Sequence, residues 1–269
     1  MSDAGQAGRE PVTVLFDPRS PWCYQTSRWL RRLEALGEVE LSWGVFSLEV
    51  VNLHAGEDAV GYEAEFGPGL RVALALREEH GQRAIGDFYA ALGARMWDQP
   101  GPAGGGPGPG LAESSRLAVA DIGIDPGYAD RVLAAEKSWT AVLDEHRRWA
   151  EELRVFGVPT LVFGRGADRS AVFGPVLRSL PDDETGLELW RHVRGLAGFD
   201  ALYELKRFKP LQARADLPGA VWRADLRVAD MRAARELMRA GGPYEHSSLE
   251  WAMARVRAGR LAAARGVEE

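Results

Sequence analysis

The residues of this chain whose types and spacing could do chemistry are Ser20 and Cys23, in Arg19-Ser20-Pro21-Trp22-Cys23-Tyr24. Cys23 is the only cysteine, so the chain can form neither an intramolecular disulfide nor a cysteine-based zinc cluster. Two readings of the pair stand open. In one, Ser20 caps a helix that begins at Pro21, and Cys23 is a small buried helix residue. In the other, the helix start is a sulfur site. Free N–H groups and the positive end of the helix dipole favour a thiolate there, and a hydroxyl can donate a hydrogen bond to it.

A second feature is Phe156-Gly157-Val158-Pro159-Thr160. A proline after glycine and a β-branched residue, just ahead of a strand, is compatible with a cis peptide bond. That bond would turn the Val158 backbone outward, toward the peptide-like backbone of a small thiol. Arg19 could favour an anionic substrate or thiolate. Trp22, Tyr24, Phe46, Trp97 and Trp139 could line an aromatic cleft, although such spacings also fit plain core. His54, His80, His146, His192 and His246 show no ligand spacing, and no metal is expected. Ser114-Ser115 and Ser247-Ser248 lack the context of a nucleophile elbow.

The elements that must position these residues follow from periodicity. Val12 to Phe16 reads as a buried strand ended by Asp17-Pro18. Trp22, Trp29, Leu30, Leu33 and Leu36 form a helical stripe closed by Gly37. Glu38 to Leu48 alternates as a second strand, which gives an opening β-α-β unit with parallel strands. Helical spacing then predicts Leu70–His80, Ala84–Met96, Ser114–Ile122 and Ala129–Leu153, interrupted by a Pro/Gly loop over Gln99–Gly110. Thr160–Phe163 and Ala171–Phe173 predict a hairpin. A helix capped at Asp182 or Asp183 follows, then a further helix over Asp200–Phe208.

The expected architecture is therefore α/β, a thioredoxin fold with a helical domain inserted after the β-α-β unit and a C-terminal helical extension. Residues 1–11 are expected to be disordered. The core is expected at 12–52 and 154–210, the inserted domain at 53–153 and the extension at 211–269. The extension carries two Ala/Arg-rich helices, at about Asp225–Ala240 and Ser247–Ala264.

The 269 residues carry a net charge of −6 with a pI near 5.5, which favours neither nucleic acid nor an anionic membrane. Neither a signal peptide nor an apolar run of bilayer length is visible. The expectation is a soluble cytoplasmic protein.

The combination of Phe16-Asp17-Pro18…Pro21-Trp22-Cys23-Tyr24…Ser27-Arg28-Trp29, Gly157-Val158-Pro159-Thr160 and Phe173-Gly174-Pro175-Val176-Leu177 resembles the DsbA-like thioredoxin superfamily. Within it, the chain is most similar to the actinobacterial mycothiol-dependent reductases. Ser47-Leu48…Asn52, Gly67-Pro68…Arg71-Val72-Ala73, His80-Gly81 and Phe199…Glu204-Leu205-Lys206-Arg207 extend the resemblance over roughly Val12 to Pro210. Those reductases carry Cys-Pro-Trp-Cys, and here the first position is Ser20. Serine there resembles the kappa-class glutathione transferases and 2-hydroxychromene-2-carboxylate isomerases, whose serine hydrogen-bonds the sulfur of bound glutathione.

The resemblance implies a low-molecular-weight thiol cofactor, mycothiol or glutathione. The thiol would be held by Ser20, Asn52 and the backbone of Val158, Pro159 and Thr160. The substrate cleft would be lined by Arg19, Trp22, Tyr24, Phe46 and Arg71. The leading expectation is an isomerase or transferase that adds a thiolate reversibly to a conjugated substrate, free or carrier-bound, in aromatic or polyene natural-product metabolism. The alternatives are a mycothiol-dependent oxidoreductase using Cys23, and a catalytically degenerate scaffold. The sequence also allows a homodimer.

Overall fold

The computed structural model describes residues 9–51, 67–100, 109–207 and 214–220. The first strand, β1 (Glu10–Phe16), pairs in parallel with β2 (Val39–Val45), and α1 (Pro21–Ala35) connects them. After a helical segment the chain returns through β3 (Thr160–Phe163), antiparallel to β1. It then turns back through β4 (Ser170–Phe173), antiparallel to β3, and ends its regular structure in α7 (Asp183–Ala197). The sheet order is β2-β1-β3-β4. This β-α-β unit followed by a β-hairpin and a helix is the thioredoxin fold, interrupted by helices between β2 and β3.

Register decides which residues share an edge. Phe16 pairs with Val45, Leu15 with Thr160, and Thr160 with Phe173. The carboxyl ends of β1, β2 and β4 and the amino end of β3 therefore meet at one edge of the sheet, and α1 starts there. Val12, Val14, Leu15, Phe16, Leu161 and Val162 are buried in the middle of the sheet. Trp29, Leu30 and Leu33 of α1 add its inner face to the same core. Trp29 also donates its indole N–H to the Gly186 carbonyl at 3.1 Å and meets Trp190 edge-on, which ties α1 to α7.

The inserted helices are α2 (Leu48–Val51), α3 (Pro68–Gly93), a π-helical turn (Ala94–Asp98), α4 (Leu111–Asp121), α5 (Gly127–Ala134) and α6 (Lys137–Leu153). The expected break between Leu70–His80 and Ala84–Met96 is present inside α3. Gly81 stands at φ 83°, ψ −177°, a conformation open to glycine. The expected single helix over Ala129–Leu153 is instead two. Ala135 leaves helical geometry at φ −90°, ψ 106°, and the Ser138 hydroxyl donates to the carbonyls of Val132 and Ala135.

Three other expectations are corrected. The N-terminal residues 9–11 are ordered, because Glu10 and Pro11 extend β1 against Val39 and Glu40. The second strand stops at Val45, where Phe46 and Ser47 turn the chain into α2. Residues 202–207, expected in a helix, have no regular structure, and Tyr203 and Leu205 are exposed, so no apolar stripe is buried there to hold one. The tail helices over 225–240 and 247–264 lie outside the described residues, as does most of the Pro/Gly loop. Among the described residues no helix is long and apolar enough to cross a membrane.

Candidate functional site

The loop from β1 to α1 is organised by Asp17. Its carboxylate accepts the N–H of Arg19 at 2.8 Å and that of Leu48 at 2.8 Å, so one side chain holds the loop and the β2–α2 turn together. Burial raises the Asp17 carboxyl above its ordinary range, opposed by the Arg19 charge and the two amides. Arg19 itself pairs with Glu49. The Trp97 indole donates to the Pro18 carbonyl at 3.0 Å, which fixes the other side of the loop to the π-helical turn.

Ser20 is the N-cap of α1, with extended backbone, and Pro21 occupies the first turn. Its hydroxyl oxygen accepts the Cys23 N–H at 3.1 Å. Both members of the pair are enclosed, Ser20 at 5% exposure and Cys23 at 1%. Burial pushes the Cys23 thiol up to about 12. The Asp17 backbone and the Ser20 side chain act the other way, and the Asp17 carboxylate adds to the rise. Burial thus favours the neutral thiol of Cys23 over its thiolate.

Behind the pair lies Tyr89 of α3, its ring stacked on Phe16 at 3.9 Å between centroids. Its buried hydroxyl has no hydrogen-bond partner, and burial raises its pKa.

The Val158-Pro159 bond is cis, and so is Gly174-Pro175, which the sequence reading did not anticipate. The two loops are joined where Gly174 N–H donates to the Pro159 carbonyl at 2.8 Å. The Thr160 hydroxyl donates to the Gly157 carbonyl at 2.7 Å, so its side chain shapes the loop. The Pro175 carbonyl accepts from Thr26 Oγ1 at 2.7 Å and the Arg178 carbonyl from Gln25 Nε2 at 3.4 Å, which fastens the second loop to α1. Phe156 and Phe173 stack on each other at 5.3 Å and are 69% and 46% exposed.

The remaining expected site residues fall into two groups. Trp22, half-buried, and Tyr24 stand on the first turns of α1, and the Tyr24 hydroxyl donates to Asp98 at 2.7 Å. Phe46 and Arg71 are engaged elsewhere. Phe46 is fully buried and stacked on His146 at 4.1 Å, while Ser47 N–H donates to His146 Nδ1 at 3.2 Å. Arg71 sends its guanidinium to Ser138 Oγ at 2.7 Å and to the carbonyls of Leu133 and Ala135, tying α3 to the turn between α5 and α6. Asn52 lies outside the described residues. Asp17 and Tyr89 were not picked out from sequence as parts of this corner, nor His146 as the partner of Phe46 and Ser47, because each is placed by a contact between distant segments.

A thioredoxin fold with inserted helices, whose α1 start shares an edge with a cis-proline loop, defines a DsbA-like thiol-dependent enzyme. The family model Rv2466c-like, described as "Mycothiol-dependent nitroreductase Rv2466c", matches residues 19–207, and the chain belongs to that family. It is 33% identical over 201 residues to the uncharacterized protein Rv2286c of Mycobacterium tuberculosis, covering 74% of this chain and 82% of that one.

Two solved structures are similar in fold. One is the cytosolic disulfide reductase DsbM from Pseudomonas aeruginosa, at 17% identity and TM-score 0.45, with 68% of this chain and 98% of that one covered. The other is a 2-hydroxychromene-2-carboxylate isomerase, at 16% identity and TM-score 0.47, with 69% and 94% covered.

Proposed function

We propose that the chain acts on a conjugated, electron-poor small molecule, free or carried, through the sulfur of a bound low-molecular-weight thiol. In this reading Ser20 manages that sulfur and Cys23 remains a thiol. The observation that carries it is the placement of the pair: Ser20 caps α1 at the sheet edge shared with the cis Val158-Pro159 bond, while Cys23 is 1% exposed. Burial pushes the Cys23 thiol up, away from the thiolate that would make it a nucleophile. The group able to serve an incoming sulfur is the Ser20 hydroxyl, held at the helix start by the Cys23 amide.

The residues present fit a thiol ligand. The start of α1 turns the positive end of a helix dipole toward a sulfur anion, while its Cys23 and Tyr24 N–H groups are held by Ser20. The Ser20 O–H is a donor, and the backbone of Val158 and Thr160 lies on the same sheet edge for the peptide-like portion of the ligand. When bound, the thiol supplies a nucleophile for reversible addition to a conjugated double bond, the chemistry of cis–trans isomerisation or S-transfer. Ser20 orients and stabilises the sulfur. The enclosure of the corner keeps water away and strengthens both interactions. The family's description, a mycothiol-dependent nitroreductase, names a small thiol and an electron-poor substrate class, and both accord with this reading.

That description also favours a second reading, reduction through a mixed disulfide between Cys23 and the thiol. The two separate in Ser20→Ala and Cys23→Ser variants, assayed by mass spectrometry with mycothiol or glutathione and conjugated or nitro-bearing substrates. Loss of turnover in Ser20→Ala with near-normal turnover in Cys23→Ser supports the proposal, and the reverse pattern overturns it in favour of Cys23.

A further inference from the structure

Residues 214–220 lie beyond the segment that matches the family, yet they pack against the corner just described. Asp216 N–H donates to the Arg178 carbonyl at 2.7 Å. That same carbonyl accepts from Gln25 of α1. Three residues later, Gly219 sits so close to the π-helical turn that a Cβ there would stand 2.3 Å from the Met96 carbonyl oxygen and 2.8 Å from Trp97 Cα. Trp97 in turn holds the Pro18 carbonyl. Leu217 between these anchors is buried, as are Ala215 and Ala220 on either side of them, and a single turn closes with Ala220 N–H on the Leu217 carbonyl at 3.0 Å.

Three residues of chain reach at most about 10 Å. The segment therefore makes a short bridge whose two ends are fastened to partners of α1 and of the β1–α1 loop. One end rests on the loop that follows β4, the other on the turn that follows α3. The segment thereby joins the loop after β4 to the turn after α3, the two elements whose Arg178 and Trp97 hold α1 and the β1–α1 loop. The low exposure of Ser20 and Cys23 accords with a covered corner. A protein disulfide brings main chain on both sides of its sulfurs and needs an open groove, whereas a small thiol needs only a gap.

Given the reading of Ser20–Cys23 as the reacting corner, we infer that residues 214–220 are a specificity element, a strap that admits small molecules to this corner and excludes protein partners. The buried Leu217 and the close approach at Gly219 hold it down.

The test uses the full chain with a reporter thiol, Ser20→Cys combined with Cys23→Ser. The rate of labelling by N-ethylmaleimide is compared with that by a maleimide carrying a long polyethylene glycol chain. With the strap intact, the bulky reagent is expected to react slower on the order of tenfold, after normalisation to an unfolded control, because it must wait for local opening. Adding Gly219→Leu, or independently Leu217→Asp, is expected to abolish that difference while circular dichroism stays unchanged. Hydrogen exchange over 214–220 reports release of the segment in each variant.

Equal normalised rates with the strap intact overturn the inference. So does a size difference that persists once exchange shows the segment released, and so does retention of exchange protection in both strap variants. No turnover is measured, so failure of the thiol-cofactor reading leaves this readout unaffected.

Discussion

The Ser20 side-chain oxygen accepts the Cys23 backbone N–H at 3.1 Å, so the residue proposed to manage a sulfur is also the cap of the helix that carries the chain's only thiol. Capping and chemistry can be separated at this position. Ser20→Ala removes both the cap acceptor and the O–H donor, and is expected to cost about 1 kcal/mol of stability along with turnover. Ser20→Asp keeps an acceptor for the cap but sets a carboxylate where a sulfur anion must lie. It should retain most of the stability and still lose turnover. Chemical denaturation and substrate assays on the two variants check this, and wild-type turnover in Ser20→Asp would remove the hydroxyl from the mechanism.

Cys23 gives a second expectation. Burial pushes its thiol up to about 12, and the reactive form is the thiolate. The rate of alkylation by iodoacetamide should therefore rise about tenfold per pH unit from pH 6 to 9 without levelling off. A plateau with a midpoint below pH 8 would show an activated cysteine and favour the reductase reading.

Much of this corner was legible in the chain because it is written in local rules. Ser20-Pro21 starts α1 as an N-cap and first-turn proline must, and Val12–Phe16 lies within β1. Gly157-Val158-Pro159-Thr160 carries the cis bond where the sequence placed it. What escaped was set by contacts between distant segments. Asp17 looked like a turn residue after a strand, and its role as acceptor for Leu48 depends on a partner 31 positions away. His146 is one polar position in an amphipathic helix until β2 brings Phe46 and Ser47 against it. Arg71 was matched to a motif, yet its guanidinium is drawn to the backbone carbonyls left open where the predicted 129–153 helix breaks at Ala135.

His146 also predicts a pH dependence of stability. Burial, then the charge of Arg147, lowers its pKa from 6.5 to about 4, and its Nδ1 accepts the Ser47 N–H, a bond that protonation of that nitrogen would break. Between these two values the unfolded chain binds the proton and the folded chain does not, so stability rises with pH through the window. The contribution is complete above pH 6.5 and is lost as pH falls toward 4, with a loss of about 2 kcal/mol by pH 5. His146→Asn offers an amide oxygen to Ser47 and does not titrate. Guanidinium unfolding at pH 7.5, 6 and 5 should show the wild type losing stability more steeply than the variant. Parallel slopes for the two proteins would place the acid sensitivity in other groups.

The close approach between Gly93 of α3 and Tyr24 of α1 predicts how tightly the inserted helices are fitted to the core. A Cβ at Gly93 would stand 2.2 Å from two ring atoms of Tyr24, whereas one at the exposed Gly195 of α7 would meet nothing within 4 Å. Both glycines are helical, so Gly→Ala gains similar helix propensity at each, about 0.5–1 kcal/mol. At Gly195 that gain is the whole effect and should stabilise the protein. At Gly93 the Tyr24 ring is buried and tied to Asp98, and forcing it aside costs about 1–3 kcal/mol, which outweighs the gain. Urea denaturation of the two alanine variants should therefore move the midpoint in opposite directions. A stabilised Gly93→Ala would mean that the Tyr24 ring moves without cost and that α1 and α3 are packed more loosely than the distance implies.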